Sequence, residues 1–407
     1  MANDTRATST SAAPEIHWTE NGQPRTARWR SEKGTPPHKR VVVADETMTA
    51  DVAYRLACEG TALLWRGDFQ NARQILLALA RRADEKSRKA SKSTNHAAIA
   101  DAPITDAFHK HRLAQSQRAR TLGMLLLPLS HDYAIPLRRA PDLQLACTGA
   151  YGPAEGDPAV GDSLVSMREL LGLIGAHEWH KKGVEVTALN ERIHPHYGVF
   201  APVRGEYVGL VNEAPLPAAF SVGLAPLPLA FDIGTGTGVL AAVLARRGIA
   251  RVIATDMDVR ALACASENMA RLNLTAQVQI VKADLFPEGR APLIVCNPPW
   301  IPARPSSPIE AAIFDPDSRM LRGFINGLAA HLEPGGEGWL ILSDIAEHLG
   351  LRSRDELLNH FAQAGLMVID RKDARPSHPR VADRSEPLHA ARAAEVTSLW
   401  RLGVANR

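Results

Sequence analysis

The chain has 407 residues, 45% of them apolar, which is more than one ordinary domain needs and enough to bury a sizeable core. Its net charge is only +3, but residues 1–150 hold 22 basic against 15 acidic side chains and the remainder 25 against 29, so the front is modestly basic. Such a front fits either a polyanionic partner or a plainly solvated surface. Four scattered cysteines, Cys58, Cys147, Cys264 and Cys296, have neither disulfide-framework nor zinc-site spacing. No apolar run reaches the roughly 18 residues that span a membrane, and a soluble, cytoplasmic protein is expected.

Residues 1–42 are rich in Ser, Thr, Pro and Arg, lack the apolar core of a secretory signal, and read as a disordered polar tail. Residues 43–190 are expected to form a separate, mostly helical N-terminal domain with a possible substrate-recognition role. Within it, "MTADVAYRLACEG" suggests a helix, "ALLW" a short apolar stretch, and "FQNARQILLALARR" an amphipathic helix. In "FHKHRLAQSQRARTLGMLLLPL", the side chains His109, Lys110, His111, Arg112, Arg118 and Arg120 read as the wet face of a helix, phosphate contact being the alternative. His109 and His111 stand two apart, so on a helix they diverge and make a poor metal pair. "YGPAEGDPAVGDS" reads as a loop and "MRELLGLIGAHEWHKKG" as a helix ended by Gly183.

From residue 191 to 407 the apolar runs alternate strand, helix, strand, from "LAFDIG" to "MVIDRK", and close on a strand "EVTSLWRLG", expected antiparallel to its neighbours, with no helix before it. Near-continuous apolar strands joined by helices predict an α/β domain with a doubly wound, mostly parallel sheet covered on both faces.

The stretch "FDIGTGTG" ends the first of these strands and opens a helix, the position where doubly wound sheets bind ligands. Gly234, Gly236 and Gly238 allow a tight turn with close backbone approach. The spacing is G-x-G-x-G, whereas a dinucleotide turn has G-x-G-x-x-G. Asp232 just before the turn would repel a pyrophosphate and suits a cation such as a sulfonium-bearing amino acid. Asp256 ends the second strand, 22 residues after Gly234, in position to accept both hydroxyls of a ribose. Asp284 ends the third, where it can take an adenine amino group, with Leu285 and Phe286 beside the ring. Asp258 reads as the cap of the following helix.

These residues resemble the motifs of class I S-adenosylmethionine-dependent methyltransferases: D-x-G-x-G-x-G, then an acid ending each of the next two strands. The resemblance implies a Rossmann-like seven-stranded sheet, S-adenosylmethionine as cofactor, no metal, and a binding set of Asp232, Gly234, Thr235, Gly236, Gly238, Asp256, Met257, Asp284, Leu285 and Asn297.

The fourth strand ends "LIVCNPPWIP", a stiff turn at the same edge of the sheet. It resembles the (Asn/Asp)-Pro-Pro-aromatic motif of methyltransferases acting on planar amide or exocyclic amino nitrogens, whose lone pair is delocalised. The Asn297 side-chain oxygen and the Pro298 carbonyl, held rigid by Pro299, would each accept an N–H. Trp300 would stack on the planar group. Cys296, inside the strand, reads as core. Methyl transfer is then an in-line displacement in which positioning, at roughly 3 Å, contributes most.

From about residue 192 onward the chain is similar to HemK/PrmC-like and RsmC-like enzymes, which act on glutamine in release factors or ribosomal proteins, or on amino groups of nucleic acid. Departures are Trp300 in place of the usual Tyr, and "PVRGEY", with Pro202 and Glu206, in place of a PRPETE-like stretch. The basic stretch Arg371, Lys372, Arg375, Arg380 and Arg384 would favour RNA. The resemblance therefore implies an N-methyltransferase acting on RNA or protein. A small-molecule N-methyltransferase of a biosynthetic pathway and a non-catalytic cofactor-binding module are the alternatives.

Overall fold

The computed structural model describes residues 14–93, 103–154, 161–220, 229–305, 308–376 and 388–405. Their contacts divide the chain into two units, Met1–Thr94 with Ala114–Ile174, and Asn95–Leu113 with Gly175–Arg407. The division falls inside a helix, not near residue 190.

The first unit is built on a six-stranded sheet rather than being mostly helical. Its strands are β1 (Glu15–Glu20), β2 (Gln23–Arg30), β3 (Val41–Ala44), β4 (Ala62–Trp65), β5 (Leu125–Leu129) and β6 (Ser163–Ser166), in the order β1-β2-β6-β5-β4-β3. Helices α1 (Ala50–Cys58), α2 (Phe69–Ser93), α3 (Ile104–Leu122) and α4 (Gln144–Tyr151) intervene along the chain. Residues 15–30, expected in the disordered tail, form an antiparallel hairpin. Asn21 and Gly22 turn it with φ of +52° and +72°, the left-handed pair that a tight hairpin needs. Ile16 and Trp29 anchor it in a core with Leu64, Leu126 and Leu164. The "ALLW" stretch is β4, parallel to both β3 and β5.

Helix α5 (Met167–Lys182), within which the division falls, ends at Gly183 with φ +69°, as its sequence predicts. A two-stranded hairpin, β7 (Val184–Val186) and β8 (Glu191–Ile193), follows. Seven strands then form the main sheet: β9 (Leu229–Ile233), β10 (Arg251–Asp256), β11 (Val278–Lys282), β12 (Ala291–Cys296), β13 (Leu332–Ser343), β14 (Leu366–Ala374) and β15 (Thr397–Val404). Their order is β11-β10-β9-β12-β13-β15-β14, with β15 antiparallel to both neighbours. The helices are α6 (Glu206–Glu213), α7 (Val239–Arg246), α8 (Val259–Arg271), α9 (Arg319–His331), α10 (Ile345–His348), α11 (Arg354–Gln363) and α12 (His389–Ala394). The short α12 lies between the last two strands, where no helix was expected.

Alternate side chains of each strand feed two cores, which is why the runs read as continuously apolar. Ala230, Val295 and Trp339 pack on one face with α7. Phe231, Ile294 and Leu340 pack on the other with α9 and α11. The chain winds from β9 towards β10 and β11 in one direction and from β12 onward in the other. The switch point therefore lies between β9 and β12, whose carboxyl ends carry the glycine turn and the proline turn. No helix among the described residues is long and apolar enough to cross a membrane.

Candidate functional site

Gly234, Gly236 and Gly238 all have positive φ, +71°, +56° and +81°, so the turn needs what glycine alone adopts freely. A Cβ on Gly238 would crowd Met269 Cε at 2.9 Å and Ala265 Cβ at 3.3 Å, so this glycine packs the start of α7 against α8. A Cβ on Gly236 would meet nothing within 4 Å.

Asp232 is 1% exposed and does not line the cavity. Its Oδ2 accepts from Thr235 Oγ1 at 2.6 Å and from the Ala241 amide at 3.0 Å, while Oδ1 is buried without a partner. Burial pushes its pKa up to about 6, against the pull of those two hydrogen bonds. It braces the turn from inside instead of facing the expected sulfonium.

Asp256 stands at the cavity wall, its Oδ2 accepting from the Gly236 amide at 3.0 Å and its Oδ1 from the Asp258 amide at 3.0 Å. Partial burial raises its pKa in spite of these donors. Asp258 caps α8 through Arg260, as expected. Asp284 is half-exposed and paired with Arg319 at 2.6 Å. Leu285 lines the cavity, but Phe286 turns away and stacks between Phe324 and His331.

The cavity, about 610 Å³, is large enough for a nucleoside-sized ligand with part of an acceptor. Of the cofactor-binding set and the Asn297–Trp300 turn, every residue except Asp232 and Gly238 lines it. The structure thus brings the glycine turn, Met257 and two of the three strand-end acids, Asp256 and Asp284, to one cavity with Asn297, Pro298, Pro299 and Trp300.

At the proline turn, Trp300 Nε1 donates to Asn297 Oδ1 at 3.0 Å. An indole N–H is a donor only, so this bond fixes the carboxamide with its oxygen towards Trp300 and leaves that oxygen a second lone pair. The Arg204 guanidinium lies 5.1 Å from the Trp300 ring centroid. Arg204 is held by Glu206 at 2.7 Å and Glu395 at 3.0 Å, and Ser343 Oγ donates to the same Glu395 oxygen at 2.6 Å. Its Nη2 is buried without a partner. One face of the aromatic ring expected to stack on substrate thus carries a cation. Cys296 is fully buried, which pushes its thiol well above the ordinary range, as a core residue requires.

Sequence reasoning missed Arg204, Tyr207, Met320 and Glu395, all on the cavity wall. The segment "GVFAPVRGEY" was the available signal: Gly198, Val199, Phe200, Val203, Arg204 and Tyr207 line the cavity, whereas Pro202 and Glu206 do not. In the basic helix, Arg112 is paired with Glu310 and Arg118 with Asp84, as a solvated face would be. Of the basic stretch near the C-terminus, Arg371 is bonded to Asp373, and Arg380 and Arg384 lie outside the described residues.

Residues 227–372 match the family model described as the methyltransferase small domain. The chain is 37% identical over 117 residues to a release factor glutamine methyltransferase of Cereibacter sphaeroides, a match covering 25% of this chain and 42% of that protein. It is 45% identical over 65 residues to a ribosomal protein L11 methyltransferase of Pelotomaculum thermopropionicum, covering 16% and 21%. It is 30% identical over 150 residues to a tRNA1(Val) (adenine(37)-N6)-methyltransferase of Bacteroides thetaiotaomicron, covering 35% and 62%. In each case the chain spans less than two thirds of the relative's length.

Proposed function

We propose, from the match of residues 227–372 to the methyltransferase small domain, that the chain is an S-adenosylmethionine-dependent enzyme that methylates a planar nitrogen, a glutamine amide or a nucleobase amino group, on a protein or RNA. One observation carries this reading: the Asn297-Pro298-Pro299-Trp300 turn and the glycine turn face the same cavity at the switch point of the sheet. When bound, S-adenosylmethionine would supply an electrophilic methyl group on a sulfonium. The residues present fit it, with open backbone at Gly236 and a carboxylate at Asp256 for the ribose hydroxyls.

Asn297 Oδ1, oriented by Trp300, would use its remaining lone pair to accept one substrate N–H, and the Pro298 carbonyl would accept the other. Both acceptors pull the protons out of conjugation, so the nitrogen lone pair becomes available to the methyl. Trp300 and Arg204 would wall the planar group. No general base is needed, because the methylated nitrogen loses its proton after transfer. The free cysteines suit a reducing cytoplasm.

The test is transfer of labelled methyl into extracts depleted of either protein or RNA, comparing the wild type with Asn297→Ala. The variant is expected to lose about 10³-fold in rate at saturating S-adenosylmethionine, the scale of removing one preorganised polar contact in a closed site. Unchanged labelling by Asn297→Ala would refute the mechanism. Label retained only in RNA, or only in protein, identifies the acceptor class.

A further inference from the structure

Away from the cavity, three polar side chains from distant parts of the sequence converge in the second unit. His180 lies in the last turn of α5, His196 in the segment after β8, and Glu267 on α8. One ring nitrogen of each histidine and one carboxylate oxygen lie within 4.8 Å of one another. His196 Nε2 is 2.7 Å from Glu267 Oε2, and the two histidine rings are 5.1 Å apart between centroids. We propose that His180, His196 and Glu267 form a site for a divalent transition-metal ion of the zinc class.

The donor set is two imidazoles and one carboxylate, the borderline ligands that zinc takes, with a coordination position left for water or another oxygen donor. The Nδ1 of His180 is buried and has no hydrogen-bond partner among the described residues. Its Nε2 stands 3.8 Å from Glu267, too far for a hydrogen bond.

Glu267 supplies the carboxylate. Arg271 takes Oε1, at 2.7 Å, and so orients the carboxylate with Oε2 turned to His196. That is the kind of outer contact that steadies metal ligands. With metal–ligand bonds of about 2.0–2.2 Å, the donors must close by roughly 1 Å, which the half-exposed Glu267 side chain can absorb. His196 would give up its hydrogen bond to Glu267 and direct the same nitrogen at the ion.

The ion would cross-link α5, the segment around residue 196, and α8. That segment is already stitched to α8: the His194 amide donates to Asn268 Oδ1 at 2.9 Å, and the His196 amide to Cys264 Sγ at 3.3 Å. It runs on into Gly198, Val199 and Phe200 of the cavity wall. The site is independent of the proposed methyl transfer.

The experiment uses the full chain, stripped with EDTA and titrated with Zn²⁺ against a chromophoric chelator, then with Co²⁺ for its visible spectrum. One Zn²⁺ per chain is expected, unchanged in Cys58→Ser, which removes the exposed thiol. Co²⁺ should give ligand-field bands without thiolate charge transfer. His180→Ala and His196→Ala should each weaken Zn²⁺ at least about tenfold, since even outer-shell losses cost that much. Their circular dichroism and thermal midpoint in EDTA should match the metal-free wild type. No Zn²⁺ uptake, a thiolate band, or equal affinity in both variants would overturn the assignment. If the variants disturb folding, zinc-edge absorption on the wild type decides: nitrogen and oxygen neighbours support the site, and sulfur neighbours refute it.

Discussion

Both units contain parallel strands that end in a short turn leading into a helix, yet the two strand ends are used in opposite ways. After β4, Arg66 is bonded to Glu20. Asp68 takes Arg139 at 2.7 Å and the Gln70 amide at 2.8 Å, and its own amide goes to Glu46. Every polar group named there has a partner of its own unit. After β9, the turn instead opens on a cavity of about 610 Å³, with Asp256 and Asn297 each holding lone pairs to spare. Architecture is therefore a poor guide to function; what separates the two ends is which polar groups the protein has already satisfied.

Removing Asp256 should break that distinction most severely. Losing two charge-assisted hydrogen bonds to a ribose costs roughly 3–6 kcal/mol, so Asp256→Ala should weaken S-adenosylmethionine at least about a hundredfold by calorimetry. An unaltered Kd would mean that the ribose does not sit there.

Asp232 sharpens the comparison through pH. Its folded value, about 6, lies above the ordinary 3.8, so folding favours the protonated form. That contribution is whole below the lower value and is lost as pH rises through the higher one. Asp232→Asn, neutral throughout, should therefore gain on the wild type between about pH 4 and pH 7, by up to about 3 kcal/mol. Urea unfolding of both proteins at the two pH values measures it; a constant difference would contradict a buried, uncompensated carboxylate.

A smaller effect is expected at Trp300. Trp300→Phe keeps an aromatic ring and removes the N–H that orients Asn297, a net loss of about 1 kcal/mol or roughly fivefold in kcat. An unchanged kcat would show that Asn297 needs no orienting. Smallest of all is the effect of Asp68→Ala on methyl transfer: the thermal midpoint should fall while kcat at low temperature stays unchanged. A loss of cofactor affinity in that variant would erase the contrast between the two strand ends.

The second unit was legible because its strands are long, apolar and ended by glycine, proline or acid. Those signals located Asp256, Asp284 and Asn297 at strand ends and Asp258 at a helix cap. The first unit was not, because its strands β3, β4 and β6 have four residues each, too few to distinguish from buried helix. The hairpin at residues 15–30 hid within a charged stretch, although Asn21-Gly22 is a strong turn signal. Pattern also cannot tell which atoms neighbours have claimed. It put Asp232 and Phe286 at the ligand, whereas burial and ring stacking turn both inward. His196 and Glu267, 71 positions apart, meet only through the fold.

Strand β14 closes one edge of the seven-stranded sheet, and its outer rim governs how the protein behaves in concentrated solution. Met367, Val368 and Ile369 are all more than a third exposed on a strand that, among the described residues, has a neighbour on one side only. Such a rim invites another strand to add. The register slips between Val368 and Asp370, and the charged run Asp370-Arg371-Lys372-Asp373 follows at once. Irregularity and charge together act as a gatekeeper against fibre-like growth. Neutralising that run would make the protein prone to precipitate.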